Sequence, residues 1–110
     1  MTNYYDRQGN PLEMMDWATR MGIDNRVAET TLPNGRWVST VWLGLDHSFG
    51  SGPPLIFETM VFQNRSDMGD LDCERYSTEA EAIAGHERMC AKWSVETPEP
   101  DIQSESLSEA

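Results

Sequence analysis

The chain has 110 residues, of which 19 are acidic and 8 are basic, and its apolar content is 38%. This length allows one domain of ordinary size. The net charge of −11 repels phosphate backbones, so direct nucleic-acid binding is disfavoured. No apolar run approaches the ~18 residues of a membrane span, and no apolar segment follows Met1, so we expect neither membrane insertion nor a secretory signal.

The charge is unevenly placed, because no basic residue follows Lys92. Residues 96–110 have a composition rich in proline, glutamate and serine, which is typical of a disordered acidic tail. We therefore predict a single α+β domain over residues 1–95, followed by that tail. The two cysteines lack a CxxC spacing, which favours reduced thiols in a cytosol.

A short strand and a helix are predicted at the start of the chain. Residues 2–6 favour the strand, and Asn10, Pro11 and Glu13 are typical of the first turn of a helix whose N-cap is Asn10. Gly22 is a natural end for this helix. Its predicted apolar stripe consists of Met14, Trp17, Ala18 and Met21. We expect the stripe to pack in the core, although exposed Met and Trp also suit a homodimer or a host-protein interface.

A change to two-residue periodicity predicts strands from Arg26 onward. Asn34 and Gly35 supply the positive backbone angles of a tight hairpin between "RVAETTL" and "RWVSTVWLGL". In the second of these strands alternation puts Trp37, Ser39, Val41 and Leu43 on one face and Val38, Thr40 and Trp42 on the other. Bulky apolar residues lie on both faces, so we expect this strand to be central or covered on both sides. The apolar run "PLIFETMVF" predicts the central strand, and the more polar "LDCERY" predicts an edge strand.

The last predicted helix begins at Thr78, which is spaced for a capping box with Glu81. Its predicted apolar stripe consists of Ile83, His86, Cys90 and Trp93. The element order is therefore strand, helix, four strands, helix and tail. This order predicts an α+β fold in which a small antiparallel sheet of about four or five strands packs with two α-helices.

The loop "DHSFGSGPP", residues 46–54, is the first candidate site. Asp46 beside His47 suits acid–base chemistry near neutral pH, whereas Ser48 lacks the context of a nucleophile elbow. The glycines would let backbone N–H groups approach an anion, but the phosphate-loop and dinucleotide patterns are not met. A rigid turn stiffened by two prolines explains the same residues. The candidate ligand or partner contacts in and around this loop are Trp42, Asp46, His47, Ser48, Phe49, Gly50, Gly52 and Glu58.

Glu58 stands among apolar residues in the predicted central strand, where an unpaired carboxylate is costly. Its candidate partners on neighbouring strands are Arg26, Arg36 and Arg75. Alternatively, Glu58 and Thr59 line a pocket together with Trp42 and His47.

A zinc site is a weaker candidate. Cys73, His86 and Cys90 offer sulfur and imidazole donors, with His47 as a fourth ligand, and His86 and Cys90 are one helical turn apart. The spacing lacks a paired cysteine knuckle, and a buried thiol usually behaves as a small apolar group. We therefore expect no metal, no other cofactor and no Cys73–Cys90 disulfide.

Three strings of the sequence together resemble a known group of proteins. The strings are "YYDRQGNPLEMMDWA", "VSTVWLGLDHSFGSGPPLIFETMVF" and "ERYSTEAEAIAGHERM". They resemble short uncharacterised proteins of tailed phages and integrated prophages, over roughly residues 4–92 and without the acidic tail. The resemblance implies no catalytic residue. It implies a small accessory gene product made inside a bacterial cell.

Short acidic phage proteins often act by binding, an analogy that does not depend on fold. We therefore expect a non-catalytic protein that acts in the bacterial cytoplasm against a host component such as a defence protein. The acidic surface would then carry the contact, and salt would weaken it. Alternatively, the chain sequesters a nucleotide or other small molecule with residues 46–58 and nearby arginines. A third alternative is an enzyme that uses Asp46, His47 and Glu58 as acid–base groups.

Overall fold

The structure is a computed structural model that describes residues 3–46, 52–67 and 69–95. In these residues the chain forms two antiparallel sheets and two helices. In chain order the elements are β1 (Tyr4–Tyr5), β2 (Pro11–Leu12), α1 (Met14–Ile23), β3 (Arg26–Thr31), β4 (Trp37–Trp42), β5 (Phe57–Phe62), β6 (Asp70–Tyr76) and α2 (Glu79–Trp93). The strands form a two-stranded ribbon, β1-β2, and a four-stranded sheet, β3-β4-β5-β6. The predicted α+β fold, an antiparallel sheet with two helices, is confirmed.

Two further predictions concern the acidic tail and membrane insertion. The predicted disordered tail, residues 96–110, lies outside the described residues. Neither α1 nor α2, the helices of the described part, has the length and apolar character needed to cross a membrane.

The predicted hairpin and the order of its neighbours are confirmed. Gly35 has a φ of 91°, and the Leu32 amide donates to the Arg36 carbonyl at 2.7 Å to close the turn between β3 and β4. The run predicted as the central strand is β5, which pairs with β4 on one side and β6 on the other. The more polar β6 lies at the edge of the sheet.

The predicted start of α2 is confirmed, and one residue of its apolar stripe is wrong. The Thr78 hydroxyl accepts from the Glu81 amide at 3.1 Å, and the Glu81 carboxylate accepts from the Thr78 amide at 3.2 Å. The residues of α2 that are buried are Ala82, Gly85, His86 and Met89. Cys90 and Trp93 are half-buried, but Ile83 is 46% exposed. Ala82 rather than Ile83 faces the sheet, because the small residues Ala82 and Gly85 let the helix approach the sheet closely.

The predicted start of α1 is wrong. The helix begins at Met14 after Glu13, whose side chain makes no capping hydrogen bond, and Pro11–Leu12 are extended and pair with β1. The Asp6 carboxylate accepts from the amides of Gln8 and Asn10, at 2.9 and 2.8 Å. Asn10 therefore belongs to a turn that this carboxylate stabilises, and the local capping signal is overridden by strand pairing.

The apolar stripe and the end of α1 also differ from the prediction. Trp17 and Met21 are partly buried against the core, but Met14 is 55% exposed. The helix continues past Gly22 to Ile23, and the Asp24 amide donates to the Arg20 carbonyl at 2.9 Å. Only part of the predicted stripe of α1 therefore contacts the core, and the helix lies at the surface of the core rather than inside it.

The core lies on one face of the four-stranded sheet, which we call the inner face. Its two clusters of buried residues are Trp42, Ile56, Phe57, Tyr76 and Ala82, and Leu32, Val38, Val61 and Met89. Both helices contribute to this side, α2 with Ala82 and Met89 and α1 with Trp17.

The opposite face, the outer face, consists of Trp37, Ser39 and Val41 of β4 with Glu58, Met60 and Phe62 of β5. In β4 these residues alternate with Val38, Thr40 and Trp42, which are at most 1% exposed. No helix of the described ranges lies over the outer face. Of the two alternatives predicted for β4, the central position is confirmed, because β4 lies between β3 and β5. The other alternative, cover on both sides, does not hold for the described residues.

Candidate functional site

Hydrogen bonds of Asp46 fix the described start of the 46–54 loop and tie it to Leu55. The Asp46 carboxylate accepts from the Leu55 amide at 3.0 Å, and the Asp46 amide donates to the Asn3 carbonyl at 3.0 Å. Gly52 is exposed with a φ of 146°, a conformation that favours glycine. Four predicted site residues lie outside the described residues: His47, Ser48, Phe49 and Gly50. The interpretations of the loop itself, as a rigid turn or as a ligand site, stay predictions.

Glu58 is paired on the outer face. Arg75 Nε lies 3.0 Å from Glu58 Oε2, so one of the three predicted arginine partners is the observed one. The Cys73 thiol donates to the same oxygen at 3.3 Å. The carboxylate is therefore paired with residues of the neighbouring strand, which was the first of the two interpretations of Glu58.

Glu58 and Trp42 do not share a pocket. Glu58 pairs across the sheet with Val41, whereas Trp42 pairs with Phe57, and side chains alternate between faces along a strand. Trp42 and Thr59 therefore point to the inner face and Glu58 to the outer face. Asp46 accepts from the Leu55 amide and Glu58 pairs with Arg75, so each of these two carboxylates has a partner of its own.

The three weak metal-site candidates are also divided between the faces. Cys73 lies on the outer face beside Glu58, whereas His86 is buried on the inner side of the sheet. Both cysteines are free. Within the ranges that the structure describes, no group of three His, Cys, Asp or Glu side chains is placed to hold a metal ion.

Cys73 and Tyr76 both hold their protons tightly. Desolvation on the crowded strand, together with the hydrogen bond to Glu58, raises the pKa of Cys73 to about 11. Burial and the neighbouring Glu74 carboxylate raise the pKa of Tyr76 to about 12. Both groups are therefore neutral at physiological pH, and a protonated thiol is a poor nucleophile.

His86 sits in a chain of hydroxyl groups on the inner face. Its Nε2 is 2.9 Å from the Thr30 hydroxyl and its Nδ1 is 2.7 Å from the Thr40 hydroxyl, which in turn contacts the Thr59 hydroxyl. A neutral imidazole has one N–H and one lone pair. Two proton arrangements satisfy the chain: either Thr30 donates to Nε2, Nδ1–H donates to Thr40 and Thr40 donates to Thr59, or all three hydrogen bonds run in the opposite direction. Both ring nitrogens are thus used within the core.

This environment predicts how stability depends on pH. Burial lowers the pKa of His86 below its usual 6.5, and only Glu87 acts against that shift. Below pH 6.5 the unfolded chain takes up a proton that the folded chain excludes, so the free energy of unfolding should fall as pH drops from 6.5 toward the lower folded-state pKa. Urea unfolding between pH 7 and pH 5 measures this loss.

A variant at this position tests the assignment to His86. His86→Gln retains a donor and an acceptor, does not titrate, and should flatten the pH dependence over this interval. If His86→Gln keeps the full slope, the loss does not arise from this residue.

The outer face carries an aromatic and arginine cluster that sequence reasoning missed. The rings of Trp37 and Phe62 stack with centroids 5.3 Å apart. The guanidinium carbons of Arg65 and Arg26 lie 4.6 and 5.7 Å from the Trp37 ring centroid. Alternation placed Trp37 correctly on the face opposite Trp42. Because both faces of β4 carry apolar residues, the sequence did not show which face lacks a covering helix.

This cluster surrounds a shallow apolar cavity of about 270 Å³. Its lining residues are Trp37, Ser39, Val41, Glu58, Met60, Phe62, Arg65 and Asp67. Ion pairs surround it, since Glu29 is 3.4 Å from Arg26 and 3.2 Å from Arg65. The surface has the composition of a protein contact, with aromatic residues, methionine and arginine at its centre.

A second cavity, of about 320 Å³, adjoins Trp42 on the helix side. Arg7 and Arg20 both line it. The Arg7 guanidinium donates to Asp24, Glu79 and the Arg26 carbonyl at 3.0–3.1 Å, and so joins the ribbon, both helices and β3. Arg7 is therefore engaged in holding the fold, and Arg20 is the cation nearer to solvent.

Comparison with protein-family models, with curated proteins and with solved structures finds no match to this chain.

Proposed function

We propose that this chain is a small, non-catalytic accessory protein of the phage type that binds a host protein in the bacterial cytoplasm. The contact is made by the solvent side of the two helices, where Glu13, Asp16 and Glu87 are exposed. This surface, the acidic helix side, occupies a basic groove on the host protein. A defence protein is the class of target that the sequence resemblance favours. Binding of this kind needs charge and shape but no reacting group.

The distribution of charge carries this proposal. Six of the eight cationic side chains are tied to carboxylates of the same chain: Arg7, Arg26, Arg65, Arg75, Arg88 and Lys92. On the solvent side of the helices, Glu13 and Asp16 of the α1 region and Glu87 of α2 are exposed and take part in none of those pairs. Arg20 of α1 is exposed on the same side and is likewise outside those pairs. The three carboxylates outnumber this cation, which leaves the helix side net negative and favours a basic surface over nucleic acid.

The titratable groups support binding rather than catalysis. Both nitrogens of His86 are occupied by threonine hydroxyls. Cys73 and Tyr76 have raised pKa values, about 11 and about 12. A general base or nucleophile is normally tuned toward neutral pH, and these three groups are shifted away from it.

The test is capture of a host protein from bacterial lysate by the full chain, compared between two triple variants. Glu13→Lys/Asp16→Lys/Glu87→Lys reverses the charge of the helix side, and Glu13→Asp/Asp16→Glu/Glu87→Asp conserves it. We expect the unchanged chain and the conserving triple to retain the same protein, and the reversing triple to lose it by at least about tenfold.

Salt provides the second readout, after melting curves have shown that both triples fold. A contact made by exposed charges weakens as the Debye length falls to about 3 Å near 1 M salt. Equal capture by the two triples, or capture that survives high salt, would contradict the proposal.

Sequestration of a small anion is a second candidate function, because a cavity with two arginines adjoins Trp42. The site differs from the one expected at residues 46–58, since Glu58 lies on the other face. Native mass spectrometry of the chain recovered from lysate distinguishes the two functions: a retained mass of a few hundred daltons favours the cavity, and a retained protein favours the acidic side.

A further inference from the structure

We propose that the outer face is the interface of a homodimer, in which a second copy of this chain packs the same face against it, sheet to sheet. Two sheets stacked face to face are a stable way to bury an apolar sheet surface. In a two-fold dimer each copy contributes the same patch. This surface is distinct from the acidic helix side that is proposed to bind the host protein.

The apolar centre of the outer face has the character of an interface. Trp37, Val41, Met60 and Phe62 are all half-buried in the single chain, although no described helix covers them. Trp37 and Phe62 stack, and Arg65 lies over the indole. Aromatic residues, methionine and arginine are the types enriched at the centres of protein contacts.

The charge of the outer face favours a second copy of this chain as the molecule that packs against it. The outer face and its rim hold three arginines and four carboxylates, namely Arg26, Arg65, Arg75, Glu29, Glu58, Asp67 and Asp70. The face is thus close to neutral, with one carboxylate in excess, whereas the whole chain has a net charge of −11. Two such chains repel one another in most orientations, so a nearly neutral face is where they can meet. A strongly basic protein would instead be drawn to the acidic helix side.

The size of the face sets the expected affinity. Four strands spaced ~4.8 Å apart, with about six residues each rising ~3.4 Å, cover roughly 20 Å by 20 Å, or about 400 Å² on each copy. Interfaces that bury less than about 1,200 Å² in total belong to weak complexes. The dimer should therefore form with a micromolar dissociation constant, rather than as an obligate pair.

Sedimentation equilibrium of the full chain tests this dimer directly. From about 2 to about 200 μM, the weight-average mass should rise from the 12.5 kDa of one chain toward twice that value. Adding salt should strengthen the dimer, because it screens the repulsion between two acidic chains. Binding of a host protein by the acidic side has the opposite salt dependence, so failure of one proposal is distinguishable from failure of the other.

Two methionine variants with the same charge change provide the control. Met60→Asp puts an unpaired carboxylate into the proposed interface and should raise the dissociation constant by at least about 100-fold. Met15→Asp changes a residue of α1 that is 72% exposed, and should leave it unchanged. If Met60→Asp does not fold, Val41→Asp on the adjacent strand takes its place.

The outcomes decide the proposal. Concentration-dependent dimers that Met60→Asp abolishes and Met15→Asp retains support it. A monomer at all concentrations and salts overturns it, as does a dimer that persists in Met60→Asp or Val41→Asp, or one that Met15→Asp disrupts equally.

Discussion

Trp42→Ala should remove about 3–5 kcal/mol from the free energy of unfolding. Trp42 is 1% exposed and packs in the inner-face cluster with Phe57 and Tyr76. Its indole N–H donates to the Tyr5 carbonyl at 3.0 Å, so truncation leaves a cavity and also removes this hydrogen bond. Urea unfolding followed by circular dichroism measures the loss, which is a large share of the ~5–15 kcal/mol that stabilises an ordinary domain.

Trp37→Ala is the matched control, because Trp37 lies on the same strand with its side chain on the outer face. Trp37 is only half-buried, and its Nε1 has no hydrogen-bond partner among the described residues. Its loss should stay below about 2 kcal/mol. Equal losses of free energy for the two tryptophans would contradict the difference in burial between the inner and the outer face.

Gly85→Ala should destabilise the protein by about 1–3 kcal/mol or more, although alanine is normally the better helix residue. A Cβ at position 85 would lie 2.2–2.3 Å from three atoms of the Tyr76 side chain. Tyr76 is 6% exposed and buried in the core, so neither its ring nor α2 can move aside freely. Thermal and urea unfolding measure the change.

Gly22→Ala supplies the control for helix propensity. Gly22 lies in α1, and a Cβ there meets nothing within 4 Å. This variant should gain about 0.5–1 kcal/mol, opposite in sign to Gly85→Ala. In a double-mutant cycle, Tyr76→Ala should relieve the penalty at position 85. A stabilising Gly85→Ala would contradict the close contact between α2 and β6.

Local signals predicted the elements whose stabilising contacts are themselves local. The Asn34-Gly35 turn and the Thr78–Glu81 capping box each need only a few consecutive residues, and both are present as predicted. The start of α1 failed for the converse reason. Pro11–Leu12 pair with Tyr4–Tyr5, and Asp6 captures the Asn10 amide, so contacts across the ribbon decide where the helix begins.

The candidate site depended on strand register, which a single strand does not reveal. Alternation divided β4 correctly into two faces, but it did not show on which side the helices lie. Whether Glu58 and Trp42 share a face depends on the pairing of Glu58 with Val41, and a shift of one residue would reverse it. The pairing of Glu58 with an arginine followed from the cost of burying a charge. The choice of Arg75 needed the register of β6.

Titration calorimetry of the captured host protein with this chain, over a series of salt concentrations, tests the proposed function most directly. We expect the logarithm of the dissociation constant to rise steadily with the logarithm of the salt concentration. The charge-reversing triple should bind at least about tenfold more weakly at low salt, while the charge-conserving triple should bind as the unchanged chain does. A dissociation constant that is independent of salt and of these three carboxylates would contradict a contact made by the acidic side of the molecule.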